Sequence, residues 1–292
     1  MASQQQIKQR IGSVRSTKQI TRAMQLVAAS KLRRAQDAVA KPRAYAEMAR
    51  AVLRRLRQLA ASGSEFHLYA QRPVKRRLLI VIASDRTLAG AYNANVIRRM
   101  LNEVSADRQR GVTTSVICIG RQVAQAASHV AGLDIAAVYQ DIPDRPDADY
   151  LRPILVSMAA MFAEEKIDAA DLIYTHFVSA VAQNVELQSL LPAGFDEIDD
   201  AANAKAFDGA EVEPSAEALV QAATMRLLEA QIYQAMLDAA ASEHSMRMVA
   251  MKNATDNATD LIDDLTLAYN NARQSAITQE LAEITGGAEA MK

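Results

Sequence analysis

Tryptophan is absent from the 292 residues, cysteine occurs once, and glycine and proline number only 10 and 7. Each shortage excludes something. A β-sandwich needs many turns and favours aromatic strands, and aromatics make up 4% of this chain. A lone Cys118 excludes an internal disulfide framework and a cysteine-rich zinc site. Set in the run Val116-Ile117-Cys118-Ile119, it reads as a small buried hydrophobe rather than a nucleophile. The candidate membrane run at residues 78–83 falls far short of the roughly 20 apolar residues of a spanning helix. The first residues lead into a charged amphipathic pattern and not into a secretory signal, so a cytoplasmic compartment is expected. With 50% apolar and 23% charged residues, disorder and a collagen-like fibre are excluded as well. The composition suits long helices rich in Ala, Leu, Met, Gln, Glu and Arg.

Charge is balanced overall, at a formal net −1, but badly mixed. Residues 1–77 carry 18 of the 33 basic side chains and only three acids, Asp37, Glu47 and Glu65, so the rest of the chain is strongly acidic. A basic helix suits nucleic acid, an anionic membrane or an acidic protein surface, or is neutralised within the fold. The stretch lacks interleaved aromatics apart from Tyr45, and no groove-reading motif occurs, so nucleic acid is not an expected partner.

The fold class expected is α/β: a Rossmann-like domain joined to a long antiparallel coiled coil of N- and C-terminal helices. Four segments carry it. In residues 1–60 apolar side chains recur at Ile7, Ile11, Val14, then Ile20, Met24, Val27, then Tyr45, Met48, Val52, Leu56 and Leu59, with helical spacing. Pro42 is expected to bend or interrupt this helix. Residues 75–192 alternate strand and helix patterns, as a mostly parallel sheet does. Residues 193–214 form an acidic connection. Residues 215–286 form the second long helix, bracketed by Pro214 and Gly286. Its heptad-like seam runs Leu228, Ile232, Ala235, Ala239, Ser242, Met246, Val249 and resumes at Ala258, Ile262, Leu265, Tyr269, Ala272 and Ala276. The two long seams pair with each other antiparallel, or each dimerises with a second copy.

Chemistry-bearing patterns are missing. Ser84-Asp85-Arg86-Thr87-Leu88-Ala89-Gly90 follows the first strand, where a Rossmann-like fold binds ligands. It has neither the three glycines of a dinucleotide fingerprint nor the Gly-Lys-Ser/Thr ending of a phosphate loop. Asp85 and Arg86 are therefore expected to make local hydrogen bonds. His67, His129, His176 and His244 form no metal-binding pair, and no Gly-x-Ser-x-Gly elbow occurs. No catalytic residue, cofactor or metal is expected, which suits a mechanical part better than an enzyme.

Three stretches make this specific. Residues 17–31, Thr-Lys-Gln-Ile-Thr-Arg-Ala-Met-Gln-Leu-Val-Ala-Ala-Ser-Lys, resemble the N-terminal helix of the gamma subunits of F-type ATP synthases. Residues 246–257, Met-Arg-Met-Val-Ala-Met-Lys-Asn-Ala-Thr-Asp-Asn, resemble that family's mid-helix motif, and residues 272–284 resemble its C-terminal signature. Thr87 and Ala89 depart from the Gly-Leu-Cys-Gly that the family usually carries after the Arg.

The resemblance implies a central rotor shaft of the bacterial type, itself non-catalytic. Its partners would be three alpha and three beta subunits, an epsilon subunit and a membrane ring of c subunits. It would lie on the cytoplasmic face of the inner membrane, touching the membrane only through the complex. It also implies that Lys18, Arg22 and Met24 lie near the acidic lever loop of beta. Arg273 and Gln274, with Thr278 and Glu280 beyond them, would meet the beta catch loop, and Glu213 would fall at the foot near epsilon and the c ring. Met24 equally suits packing within the coil, and Lys18 and Arg22 suit a solvated face. Two other classes stay open on the residues alone: a dimerising coiled-coil scaffold, and a nucleotide-dependent enzyme built on the middle domain.

Overall fold

The computed structural model describes residues 4–60, 67–143, 148–180, 182–193 and 216–290. They fall into two compact units, one within residues 1–29 and 247–292, the other within residues 30–246. In chain order the elements are α1 (Gln4–Ala60), a 3-10 turn (His67–Tyr69), β1 (Arg76–Ile82), α2 (Tyr92–Gln109), β2 (Thr113–Ile119), α3 (Arg121–Ser128), β3 (Asp134–Tyr139), α4 (Ala148–Ala163), β4 (Ala169–Phe177), β5 (Gln183–Leu191) and α5 (Ala216–Ala290). The acidic connection and Glu213 lie outside the described residues.

The larger unit holds a five-stranded sheet in the order β3-β2-β1-β4-β5. Strands β1 to β4 run parallel, and β5 closes one edge antiparallel to β4. The central strands β1, β2 and β4 are nearly continuous apolar runs because both faces are covered. On one face Leu79, Val81, Val116, Cys118 and Ile173 meet Val96 and Met100 of α2 and Val123 of α3. Burial there pushes the Cys118 thiol up to about 11, so it stays protonated and inert at neutral pH.

On the other face Leu78, Ile80, Ile117, Leu172 and Tyr174 share a core with Ile154, Met158 and Phe162 of α4, and with Leu228, Ile232, Ala235 and Ala239 of α5. This corrects the sequence reading of those four α5 positions as part of a helix–helix seam. Their spacing identifies the buried face but not what covers it, and a helix laid on a sheet shows the same stripe as a helix laid on a helix. Two helix boundaries differ as well. Helix α1 continues through Pro42, and α5 continues past Gly286 and Gly287 to Ala290. Glycine lowers helix propensity without removing a hydrogen-bond donor, so it permits the extension.

Polar side chains fix the strand ends. Arg77, buried at the start of β1, reaches Asp171 at 2.5 Å, Asp107 at 3.2 Å and Glu103 at 3.1 Å, tying α2 and β4 to the first strand. Gly120 has φ 110, and a Cβ there would meet the Ala83 carbonyl oxygen at 2.3 Å, so only glycine lets β2 turn into α3. Asp168 Oδ2 accepts the backbone N–H groups of Lys75 and Arg76 at 3.0 and 2.8 Å. Burial alone would raise this carboxyl, but those bonds and the Arg76 guanidinium outweigh it and hold the group below the usual aspartate value of 3.8. Stability from a lowered carboxyl is fully present above the ordinary value and is lost as pH falls through the lower native one. Asp168→Asn is therefore expected to cost about 1–3 kcal/mol at pH 7, the range for hydrogen bonds to a charged group. In urea unfolding of both proteins the gap should close as pH falls below 3.8. A gap unchanged down to acid pH would mean the carboxylate charge contributes nothing.

Candidate functional site

The smaller unit is a helix pair. On its α1 part, Ile7, Thr21 and Ala28 are buried, with Ile11, Val14 and Lys18 half-buried between them. On its α5 part Met251, Thr255 and Ala258 are buried, followed by half-buried Ile262, Leu265, Tyr269 and Ala272. The hydroxyls of Thr21 and Thr255 lie 2.9 Å apart, and each also reaches a carbonyl of its own helix, Lys18 at 3.1 Å and Met251 at 2.8 Å. The unit's inner bounds, Ala29 on α1 and Arg247 on α5, lie eight residues after Thr21 and eight residues before Thr255, and Gln4 precedes Thr21 by the same seventeen residues by which Ala272 follows Thr255. The helices therefore run antiparallel, with Gln4 at the level of Ala272. The seam is filled within one chain, which removes the basis for a coil that needs a second copy.

The seam differs from the α1 pattern expected at Ile20, Met24 and Val27. Ile20 and Val27 are each 58% exposed, and Met24 is half-buried. Two stripes overlap on this helix, and the one with smaller side chains faces inward. Thr21 and Ala28 let the backbones approach, while the bulkier stripe is left outward.

Beyond Ala272, α5 has no cover. Every residue from Arg273 to Thr285 is exposed. Ile277, Leu281 and Ile284, spaced by four and three, form one apolar stripe there.

The candidate contact residues form two groups. Lys18, Arg22 and Met24 surround the Thr21 level, where Arg22 is exposed and bonds Gln25 Oε1 at 3.0 Å. Arg273, Gln274, Thr278 and Glu280 are exposed on the uncovered part, where Thr278 Oγ1 donates to the Gln274 carbonyl at 2.9 Å. Arg273 follows Thr255 by eighteen residues, about 27 Å of helix, so the two groups do not form one cluster. Composition offered no sign of the Thr21–Thr255 contact, because a threonine on a helix face reads as a solvated residue.

The larger unit provides no cradle for phosphate among its described residues. Asp85, at the carboxyl end of β1, accepts the N–H of Arg121 at 2.9 Å and that of Ile142 at 2.8 Å. Its carboxylate thus occupies the start of α3, the place where a Rossmann-like fold would present backbone N–H groups to an anion. A cavity of about 610 Å³ opens between the 3-10 turn, α4 and α5, lined by His67, Tyr69, Ala160, Val220 and Thr224 among others. No Lys, Arg, Asp or Glu lines it. The Thr87 and Ala89 departures are explained here. The positive φ values in this loop fall at Leu88 and Gly90, so position 87 does not require glycine, and Ala89 is small and buried.

A mostly parallel five-stranded sheet with one antiparallel edge in one unit, and an antiparallel pair of the two terminal helices in the other, define a class of α/β proteins with long terminal helices. A family model described as ATP synthase matches residues 3–291. The ATP synthase gamma chain of Stenotrophomonas maltophilia (strain R551-3) is 38% identical over 291 residues, covering 100% of both chains. That of Acinetobacter baylyi is 40% identical over 293 residues, again covering 100% of both. Among solved structures, a chain of Euglena gracilis mitochondrial ATP synthase (OSCP/F1/c-ring) matches with TM-score 0.70 at 19% identity, over 98% of this chain and 93% of that one. A chain from the central stalk and c-ring of the Tetrahymena thermophila enzyme matches with TM-score 0.58 at 23% identity, over 80% and 99%. These two share the fold. The chain belongs to the ATP synthase gamma-chain family.

Close approach at the seam yields a direct test. Ala28 is 2% exposed and Ala23 is exposed on the same helix. Ala28→Leu should overpack the seam and cost about 1–3 kcal/mol, whereas Ala23→Leu should stay within about 0.5 kcal/mol of the parent. Urea midpoints of the full chain measure both. Equal midpoints for the two variants would contradict the seam as drawn.

Proposed function

We propose that this chain is the central shaft of an F-type ATP synthase and is itself non-catalytic. It couples rotation of a membrane c ring, driven by proton flow, to conformational change at catalytic beta subunits. The observation that carries the reading is the uncovered end of α5, an exposed helix with an apolar stripe, in a chain that matches gamma chains end to end. An apolar stripe on a lone helix is stable in water only with a partner surface over part of it. A ring of three alpha and three beta subunits supplies one, while epsilon and the c ring engage the other end of the molecule, with Glu213 at that foot. Among the described residues no helix is long and apolar enough to cross a membrane, which agrees with peripheral attachment at the cytoplasmic face of a bacterial inner membrane.

The chemistry of coupling follows from these side chains. Exposed Arg22, with half-buried Lys18 and Met24 beside it, presents positive charge to an acidic loop of beta. Arg273 and Gln274 offer directional hydrogen bonds to a second loop. A guanidinium–carboxylate bond is roughly twice as strong as a neutral one. Formed in one of three ring orientations, it biases that orientation and so acts as a catch. Thr278 and Glu280 extend the same contact.

Arg273→Ala is expected to lower both ATP hydrolysis and ATP-driven proton pumping in membranes with matched subunit content. Assembly should stay intact, since a single exposed ion pair contributes about 1 kcal/mol or less to a large interface. The isolated chain, assayed alongside, should hydrolyse no ATP. Unchanged turnover for Arg273→Ala and for Arg273→Ala/Gln274→Ala would leave the catch without support, and ATP hydrolysis by the isolated chain would overturn the non-catalytic reading.

A further inference from the structure

We infer that a ladder of buried polar contacts, spaced by sevens along α5, locks the axial register of the long helix on the sheet, and that its members are the positioning residues through which force on the α/β unit enters the shaft. The inference rests on the rotor-shaft reading above. Gln231, Asp238 and Ser245 form the ladder, and all three are buried. Gln188 Nε2 donates to Gln231 Oε1 at 2.8 Å. His176 Nδ1 donates to Asp238 Oδ2 at 3.1 Å. Gln183 Nε2 donates to Ser245 Oγ at 3.2 Å, and Ser245 in turn donates to the Ala180 carbonyl at 2.7 Å. Between the second and third rungs, Ser242 Oγ donates to the Thr175 carbonyl at 3.2 Å.

The spacing makes these contacts one device. Residues seven apart on an α-helix drift by only about 20°, so the three share one stripe. Their partners climb the sheet in the same direction. Gln188 is paired with Leu172 of β4, His176 follows Leu172 by four residues, and Ala180 follows by four more. Seven helical residues rise about 10 Å, comparable to the roughly 13 Å of the four strand residues from the Leu172–Gln188 level to His176, and the third rung falls at the end of the two strands, on Ala180 and on Gln183 at the start of β5.

Apolar packing holds α5 by its large side chains, Leu228 and Ile232, while Ala235 and Ala239 offer only shallow contacts on either side of the second rung, so the directional polar contacts add what packing there does not supply. Hydrogen bonds are directional, and a shift of α5 would break the rungs together, leaving buried amide, carboxylate and hydroxyl groups unpaired. The polar stripe thus supplies the resistance to slip that a load-bearing helix needs. It also accounts for polar side chains held in a face that apolar residues would otherwise occupy.

The test replaces both members of a rung with apolar side chains of similar size, so that neither rung partner is left facing a missing one. Gln188→Met/Gln231→Met and the fourfold variant that adds His176→Leu/Asp238→Leu are assembled into the complete complex in membrane vesicles. ATP hydrolysis and ATP-driven proton pumping are then measured together, at matched subunit content, against increasing opposing proton gradients. Hydrolysis should stay within about twofold of the parent, while protons pumped per ATP should fall about threefold or more in the fourfold variant, the deficit growing with load. Asp238→Asn keeps an acceptor for His176 and should pump near the parental ratio. If the fourfold variant does not assemble, the glutamine pair alone is read in the same assay. A parental pumping ratio at every load, or pumping lost only in proportion to assembled chain, overturns the inference. Vesicles whose complex lacks this chain are the separate control: pumping by them would overturn the shaft reading itself, whatever the ladder variants do.

Discussion

The structure depends on one constraint: the apolar face of α5 has to be buried along part of its length and left bare along the rest. From Val220 to Ala239 it shares the core of the larger unit with the sheet and α4. From Met251 to Ala272 it is covered by α1 in the smaller unit. From Arg273 to Thr285 every residue is exposed. No proline interrupts it. Each stretch has side chains suited to its surroundings: aliphatics, alanines and buried polar groups against the sheet, a stripe running from Met251 and Thr255 to Tyr269 against α1, and a mixed exposed surface at the end.

Polar burial follows the same logic. The interior charges are grouped where chain segments must be held in register. Arg77 with its three acids secures the start of the sheet, and Asp168 binds the backbone of the segment entering β1. Asp85 does the corresponding work at the carboxyl end by bonding α3 and the loop after β3. A place that nucleotide enzymes keep open for an anion, the start of the helix after a sheet strand, is occupied here by a carboxylate of the chain itself.

Much of this was legible in the sequence, and the parts that were not share a cause. The alternation of strand and helix patterns across residues 75–192 pointed to a mostly parallel sheet, and the sheet has four parallel strands in that range. The long helices followed from the scarcity of glycine and proline. Periodicity marks the face of a helix that is buried without identifying its cover, so Leu228 to Ser242 were read as facing α1 when they face the sheet. On α1 the bulkier stripe of Ile20 and Val27 drew attention away from Thr21 and Ala28, because size suggests a core residue whereas close helix packing needs small ones. The rungs at Gln188, His176 and Gln183 were invisible for a different reason: each bonds a residue 43 to 62 positions away, and no local pattern records it. The contact residues Lys18, Arg22, Arg273 and Gln274 came from family resemblance alone, since exposed polar side chains carry no chemical signature of their own.

Hydrogen–deuterium exchange along α5 tests the account most directly, in the purified chain and again in the assembled complex. Protection in the purified chain should descend in three steps, highest across residues 220–246, lower across 247–272, and nearly absent across 273–285. Assembly with alpha and beta subunits should slow exchange across 273–285 in particular, because only there does the helix lack cover of its own. Strong protection of 273–285 in the purified chain, or no change in that stretch on assembly, would contradict a shaft whose free end is built to be gripped.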